Sequence, residues 1–261
     1  MVLAGLTIAN IVGVPFGTFV GQQLGWRASF GAITVLGILS LIGILRFIPV
    51  IRQDEPPRLV QELRSLIQPQ VLLMYFAGAF SCASLFAMFT YITPALETIT
   101  GFAEHQITYI LILFGFGVTL GNIVGGKLAD WKLLPSVLAM LGGLALLLAL
   151  LSVALKNPFF AVATIFLWGV AAFGAFPGIQ VRILNLAREA PLLAATSAHS
   201  VLNIGNAGGA YLGGLAITYS GLSALPWLAS ALALIGLAGA TISYITSRRQ
   251  PTAADTVSQA S

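Results

Sequence analysis

The chain has 261 residues, 58% of them hydrophobic and only 8% charged, with a formal charge of +4. Soluble domains carry roughly 25% charged residues, and a fold of this length cannot hide so much apolar side chain from water. A water-soluble globular domain is therefore excluded, and hydrocarbon is the solvent the composition calls for.

Charge-free stretches set the elements, because a helix needs about 20 apolar residues to cross about 30 Å of hydrocarbon. An alternating ten-residue pattern, the mark of a membrane β-barrel, does not occur. The expected fold is all-α, a polytopic transmembrane helix bundle with eight spans. These lie near 2–24, 28–48, 70–94, 106–127, 134–154, 158–180, 193–218 and 225–246.

The first span repeats a small residue at every fourth position, at Gly5, Ala9, Gly13, Gly17 and Gly21. Such a stripe lets another helix backbone approach closely, and Pro15 removes one backbone bond within it. The second span ends at Arg46, whose long stem carries its charge to the interface. A polar linker over 51–69 follows, with Asp54, Glu55, Pro56, Pro57, Arg58, Glu62 and Arg64. Its two prolines followed by Val-Gln-Glu-Leu-Arg-Ser-Leu read as a break and then a short amphipathic surface helix.

The third span contains Cys82, the chain's one cysteine, so no disulfide framework or paired-cysteine metal site exists. The fourth carries a second stripe, Gly117, Gly121 and Gly125, and ends near Asp130. The seventh carries a third, Gly205, Gly209 and Gly213. Plain helix packing is the first reading of all three stripes, and smooth faces that slide or rock are the second.

Placing both termini in the cytoplasm puts Arg46, Arg52, Arg58, Arg64, Lys127, Lys132, Arg182, Arg188, Arg248 and Arg249 inside. Only Arg27 and Lys156 then face outward. Cytoplasmic loops carry the excess of Lys and Arg, so the net charge records topology and not nucleic-acid binding. The first span also aligns with the seventh at a constant offset. Asn10, Gly13, Gly17 and Gly25 meet Asn206, Gly209, Gly213 and Gly221. The first two helices thus correspond to the last two, as in parallel repeats of six-helix halves.

Several of these motifs resemble a known family. Gly13-Val-Pro15-Phe-Gly17, continuing to Gly25-Trp26-Arg27-Ala-Ser-Phe30, resembles the fifth-helix signature of drug:proton antiporters in the major facilitator superfamily. Phe89-Thr-Tyr91-Ile-Thr-Pro94 and Gly117-Val-Thr-Leu-Gly121-Asn122-Ile-Val-Gly125-Gly126-Lys-Leu-Ala-Asp130 look like helices seven and eight of the bacterial sugar-, chloramphenicol- and nucleoside-efflux branch. The resemblance spans residues 3 to 246. It implies twelve helices in two halves, of which this chain would start at the fifth. Residues 1–50 would be the last two helices of the N-terminal half. Residues 51–69 would be the cytoplasmic loop, 70–246 the C-terminal half and 247–261 a cytoplasmic tail.

The same resemblance implies a multi-pass protein of the bacterial inner membrane that exports a small organic solute or drug by alternating access, coupled to protons. The absent first four helices would supply the coupling carboxylate and act as a partner. Asp130 stands where the family's loop motif places an aspartate against a helix N-terminus, with Trp131 where arginine is more usual. The cavity lining implied is Tyr91, Trp168 and Phe173, with Phe176 as a further aromatic and Gln180, Asn203 and Asn206 added because amides in lipid must find partners or water. Gly13, Pro15, Gly17, Gly121, Gly125, Gly209 and Gly213 would serve packing and gating. His199, the one titratable group inside a span, reads as a proton relay or as a hydrogen-bonded packing residue.

No phosphate-binding loop, metalloprotease pattern or nucleophile elbow occurs, so the sequence gives no enzyme chemistry and calls for no cofactor or metal. The alternative is a truncated, non-transporting membrane fragment or assembly partner.

Overall fold

In this computed structural model, residues 13, 16, 17, 20, 21, 23–47 and 64–249 are described. They fall into two compact units, 1–58 and 59–261. No strand occurs among them. Pro15, most of the first expected span, linker residues 51–63 with their expected surface helix, and tail residues 250–261 lie outside the described residues.

In the first unit, Gly25 turns at φ +82, a left-handed conformation that suits glycine, and opens α1 (Trp26–Phe47). The second unit is a helical bundle. Its elements are α2 (Pro69–Phe89), the short α3 (Ile92–Ala95) running into a π-helical turn at Leu96–Thr100, α4 (Glu104–Trp131) and α5 (Leu133–Ala154). They are followed by α6 (Pro158–Leu186), α7 (Pro191–Ser220) and α8 (Leu225–Arg249).

Local chemistry sets the boundaries. Pro69, Pro158 and Pro191 each occupy a helix's first turn, where a missing N–H costs nothing. Asn157 caps α6 by accepting from the amides of Phe159 (3.0 Å) and Phe160 (3.4 Å). Gly101 at φ +80 and Gly221 at φ +77 end the segments before α4 and α8.

Six helices are long and apolar enough to cross a membrane: α1, α2, α4, α5, α6 and the segment Leu222–Ser247. The expectation of eight spans is therefore corrected to six among the described residues. The first expected span falls mostly outside them. The seventh, α7, forms as a 30-residue helix, but its Thr196, His199, Ser200, Asn203 and Asn206 dilute its apolar content. The expected span 70–94 is also corrected, since α2 stops at Phe89. Pro94 offers no N–H to the Thr90 carbonyl and crowds it, and the break falls at Thr90 and Tyr91.

Helix directions follow from which carbonyls meet which glycines. Gly117, Gly121 and Gly125 of α4 face the carbonyls of Phe166, Val170 and Gly174, rising together, so α4 and α6 run parallel. Gly205, Gly209 and Gly213 of α7 rise with the carbonyls of Ala79, Ala83 and Ala87, so α2 and α7 are parallel too. Gly236 meets Ala77 and Gly239 meets Phe76, which makes α8 antiparallel to α2. Gly174 meets Met140 and Gly178 meets Val137, which makes α5 antiparallel to α6. Successive long helices thus alternate in direction, as a chain stitched back and forth across a bilayer must.

That alternation brings the chain positions of Arg64, Lys127, Lys132, Arg182 and Arg188 to one end of the bundle. Glu97, Glu104 and Lys156 go to the other. The helices pack in the order α4–α6–α5–α8–α2–α7, with a lighter contact of α2 on α6. The core between them is built from Met74, Met88, Leu141, Leu144, Leu148, Leu151, Ile165 and Trp168, all fully enclosed.

Candidate transport site

The α2–α7 pair is held by two devices in the same register. A Cβ on Gly209 would run into the Ala83 carbonyl, and one on Gly213 would sit 2.7 Å from the Ala87 oxygen. These backbones touch because nothing else fits between them. Tyr75 Oη donates to the Ala194 carbonyl and Tyr91 Oη to that of Ala210, each at 3.0 Å. Both pairs are 119 residues apart, so they bracket the glycine contact like two pins. A phenol in a dry bundle needs an acceptor, and carbonyls next to alanines are open to one.

Gly121 and Gly125 do the same for α4 against α6, where an added Cβ would strike the Val170 and Gly174 carbonyls. All four glycines are thus engaged in packing within the bundle. In the first unit, Gly17 accepts from Ser29 Oγ at 3.3 Å, and a Cβ on Gly13 or Gly17 would meet nothing within 4 Å.

With the glycine face of α7 turned to α2, its opposite face is left uncovered by the other described helices of its unit. Thr196, His199, Ser200 and Asn203 are exposed there, and Asn206 is half-buried. Nine positions separate Thr196 from Gly205, half a turn off in direction on a 3.6-residue helix. The hydroxyls of Thr196 and Ser200 bond back to carbonyls of their own helix, at Leu192 (3.1 Å) and Thr196 (3.2 Å). Asn203 Nδ2 donates to the His199 carbonyl at 3.0 Å, and Asn206 Nδ2 lies 3.5 Å from Asn203 Oδ1. Ile204 and Tyr211 flank this row. The outward surfaces of α5 differ: Leu146, Leu150 and Val153 stand exposed, with no polar row between them.

On α6, Phe173, Phe176 and Gln180 recur at helical spacing and are half-buried. The Phe173 and Phe176 rings are 5.3 Å apart. Phe176 and Gln180 line a narrow crevice with Met74, Tyr75, Gly78 and Val201. It lies where α2, α6 and α7 meet. Tyr75, Met74 and Gly78 were not anticipated from sequence. Tyr75 alone carried a signal, as a polar group in a charge-free stretch that had to bond something.

The remaining expected residues lie elsewhere. Trp168 is completely enclosed, its ring 4.8 Å from Phe114 and 6.4 Å from Phe89, and its Nε1 has no acceptor. Tyr91 sits at the α2 break and is tied to α7. Asp130 is exposed at the corner between α4 and α5, where Lys132 lies over the Trp131 ring at 4.9 Å. The structure brings Phe176 and Gln180 together with α7, but not with Tyr91 or Trp168. Among the described residues, no group of three His, Cys, Asp or Glu is placed to hold a metal.

A helical bundle with parallel, glycine-matched helix pairs and one polar outer row is the frame against which relatives can be compared. The sequence model of the Major Facilitator Superfamily matches residues 1–201. The chain belongs to the major facilitator superfamily. It is 36% identical over 252 residues to the inner membrane transport protein YdhP of Escherichia coli, covering 95% of this chain and 63% of that protein. It is 33% identical over 234 residues to the MFS-type transporter YtbD of Bacillus subtilis, covering 87% of this chain and 59% of that one. A chloramphenicol resistance protein of Streptomyces lividans shares 34% over 218 residues, 80% of this chain and 54% of its own length. The chain thus spans rather less than two thirds of these relatives. Superfamily membership and the apolar helices make it a multi-pass membrane protein, and its relatives are named as transporters, not enzymes.

Proposed function

We propose that this chain forms the larger part of a secondary active transporter that exports a small organic solute by alternating access, coupled to inward proton movement. The observation that carries the reading is the uncovered polar row on α7, in a bundle whose α5 turns only apolar side chains outward. Amides and an imidazole facing acyl chains would lose water for few hydrogen bonds in return. They suit a wet pathway instead. The chloramphenicol resistance relative supports a drug-like solute.

In this reading Phe173, Phe176 and Gln180, with Asn203 and Asn206, contact the solute, and Tyr91 and Trp168 shape the aromatic end of the path. His199, exposed on the polar row, relays protons. The glycine-matched pairs α2–α7 and α4–α6 move as rigid blocks. Gly13, Pro15 and Gly17 of the first span serve packing and gating against helices outside this chain's described residues, and Asp130 steadies the corner at the cationic end. Residues 1–50 and 70–246 belong to different halves of the transporter, joined by a cytoplasmic segment at 51–69. The protein sits in the inner membrane of a bacterium with both termini cytoplasmic, and helices equivalent to the remaining third of its relatives complete the cavity.

The test is efflux from bacteria lacking their own exporters. The chain would be expressed alone and joined to the first four helices of YdhP, with chloramphenicol accumulation as the readout. The joined protein should lower accumulation, and a protonophore should abolish the effect. Combining Gln180→Leu with Asn203→Leu should cut export about tenfold, the loss of roughly 1.4 kcal/mol of binding. Full export by the double variant at equal protein level would refute the site, and export by the 261-residue chain alone would refute the need for further helices.

A further inference from the structure

At the cationic end of the bundle, three helix ends are tied by polar side chains. Gln70, in the first turn of α2, donates from Nε2 to Thr246 Oγ1 at 2.6 Å and accepts from Ser243 Oγ at 2.6 Å. Ser247 Oγ donates to the Ser243 carbonyl of its own helix. One acceptor site remains on Ser247, and Arg182 of α6 fills it with Nη2 at 3.0 Å. That is the one hydrogen bond the Arg182 guanidinium makes among the described residues. Its Nε is sealed from solvent and has no acceptor, and no described carboxylate pairs with it.

The other cations of this end whose side chains are described differ. Lys127, Lys132, Arg64 and Arg188 are exposed, free to be satisfied by water. Arg182 is drawn into the bundle end, held by a hydroxyl, and left with a forked set of charged donors. A partly desolvated guanidinium without a counter-charge is costly, and a guanidinium fork fits two oxygens of a phosphate or carboxylate.

Its depth selects between them. From Pro158 to Arg182 the helix rises 24 residues, about 36 Å at 1.5 Å per residue. The hydrocarbon layer is about 30 Å thick, so the guanidinium stands at the level of lipid phosphates. Basic pockets between helix ends at that depth suit anionic headgroups.

We infer that Arg182, positioned by Ser247, binds the phosphate of an anionic phospholipid between the ends of α6 and α8. The lipid supplies the missing charge, and the Gln70–Ser243–Thr246 bonds keep the neighbouring polar groups occupied, so that only the arginine receives it. The site is separate from the polar row of α7 and does not rest on the transport proposal.

The test uses the full chain in neutral detergent, with native mass spectrometry for bound lipid and thermal unfolding as a second readout. Short-chain phosphatidylglycerol should bind and raise the unfolding midpoint, and the zwitterionic phosphatidylcholine should do neither. Arg182→Gln should lower phosphatidylglycerol affinity about tenfold, and Ser247→Ala, which keeps every charge, should lower it less. Lys127→Gln, removing an exposed cation at the same end, should leave it within about twofold. Inorganic phosphate that stabilises wild type as well as the lipid does would assign the site to a free anion and overturn the lipid. Equal losses in Arg182→Gln and Lys127→Gln would reduce the effect to general surface charge and overturn the site. A chain indifferent to lipid and phosphate alike would overturn it as well, leaving Arg182 to a protein carboxylate.

Discussion

Gly209 and Gly208 are neighbours in sequence and opposites in consequence. A Cβ at Gly209 would collide with the Ala83 backbone, whereas one at Gly208 would meet nothing within 4 Å. Gly209→Ala should therefore push α7 off α2 and loosen both tyrosine bonds, costing on the order of 1–3 kcal/mol as overpacking does. Gly208→Ala should be neutral or slightly stabilising, since alanine restricts the unfolded chain. Thermal unfolding of the two variants in one detergent measures the difference, and equal midpoints would show that the close approach contributes nothing. The stripe itself was legible, because small residues at every fourth position can have few other uses in a span. What it packs against was not. Spacing marks a smooth face but carries no record of its partner, and the partner carbonyls belong to Ala79, Ala83 and Ala87, which no pattern singles out.

At the scale of elements, α2 and α7 show where periodicity and hydropathy run out. A charge-free run over 65–96 reads as one span, yet the helix stops at Phe89, because a single proline acts on the carbonyl four residues before it. The Tyr91 backbone leaves the helical region at φ −116, ψ 16, and the chain resumes in α3 and a π-helical turn. Such turns are frequent at functional positions. Pro94→Ala would restore the donor for the Thr90 carbonyl. Hydrogen exchange over residues 90–98 should then slow by about tenfold, the equivalent of roughly 1.4 kcal/mol added to local opening. Unchanged exchange would assign the break to the Tyr91–Ala210 bond instead. In α7 the misfit has the opposite sign. The helix is long enough to span, but its hydropathy is lowered by the polar row that its packing leaves uncovered. The amides were legible as a shared face from their spacing of three. Their exposure needed the structure, because only the position of α2 decides which face is covered.

For the whole molecule, the alternation of helix direction turns the distribution of charge into a statement about topology. Because the glycine contacts fix α2 parallel to α7, α4 parallel to α6, and α8 antiparallel to α2, the ends that carry Lys127, Lys132, Arg182 and Arg188 cannot be shared between the two sides of a bilayer. Translocation retains positive loops in the cytoplasm, so the proposed orientation makes this end the inner one and the turn with Glu97 and Glu104 the outer one. Single-cysteine labelling reads this directly. Cys82 is buried at 3% exposure and can be replaced by alanine at small cost, giving a background without thiols. A cysteine in place of the exposed Glu104 should react with a membrane-impermeant maleimide in intact cells, and one in place of Lys132 should react only after permeabilisation. The reverse pattern would invert the bundle. Labelling of both positions from one side would break the alternation itself, since residues 104 and 132 stand at opposite ends of one continuous helix and the turn beyond it.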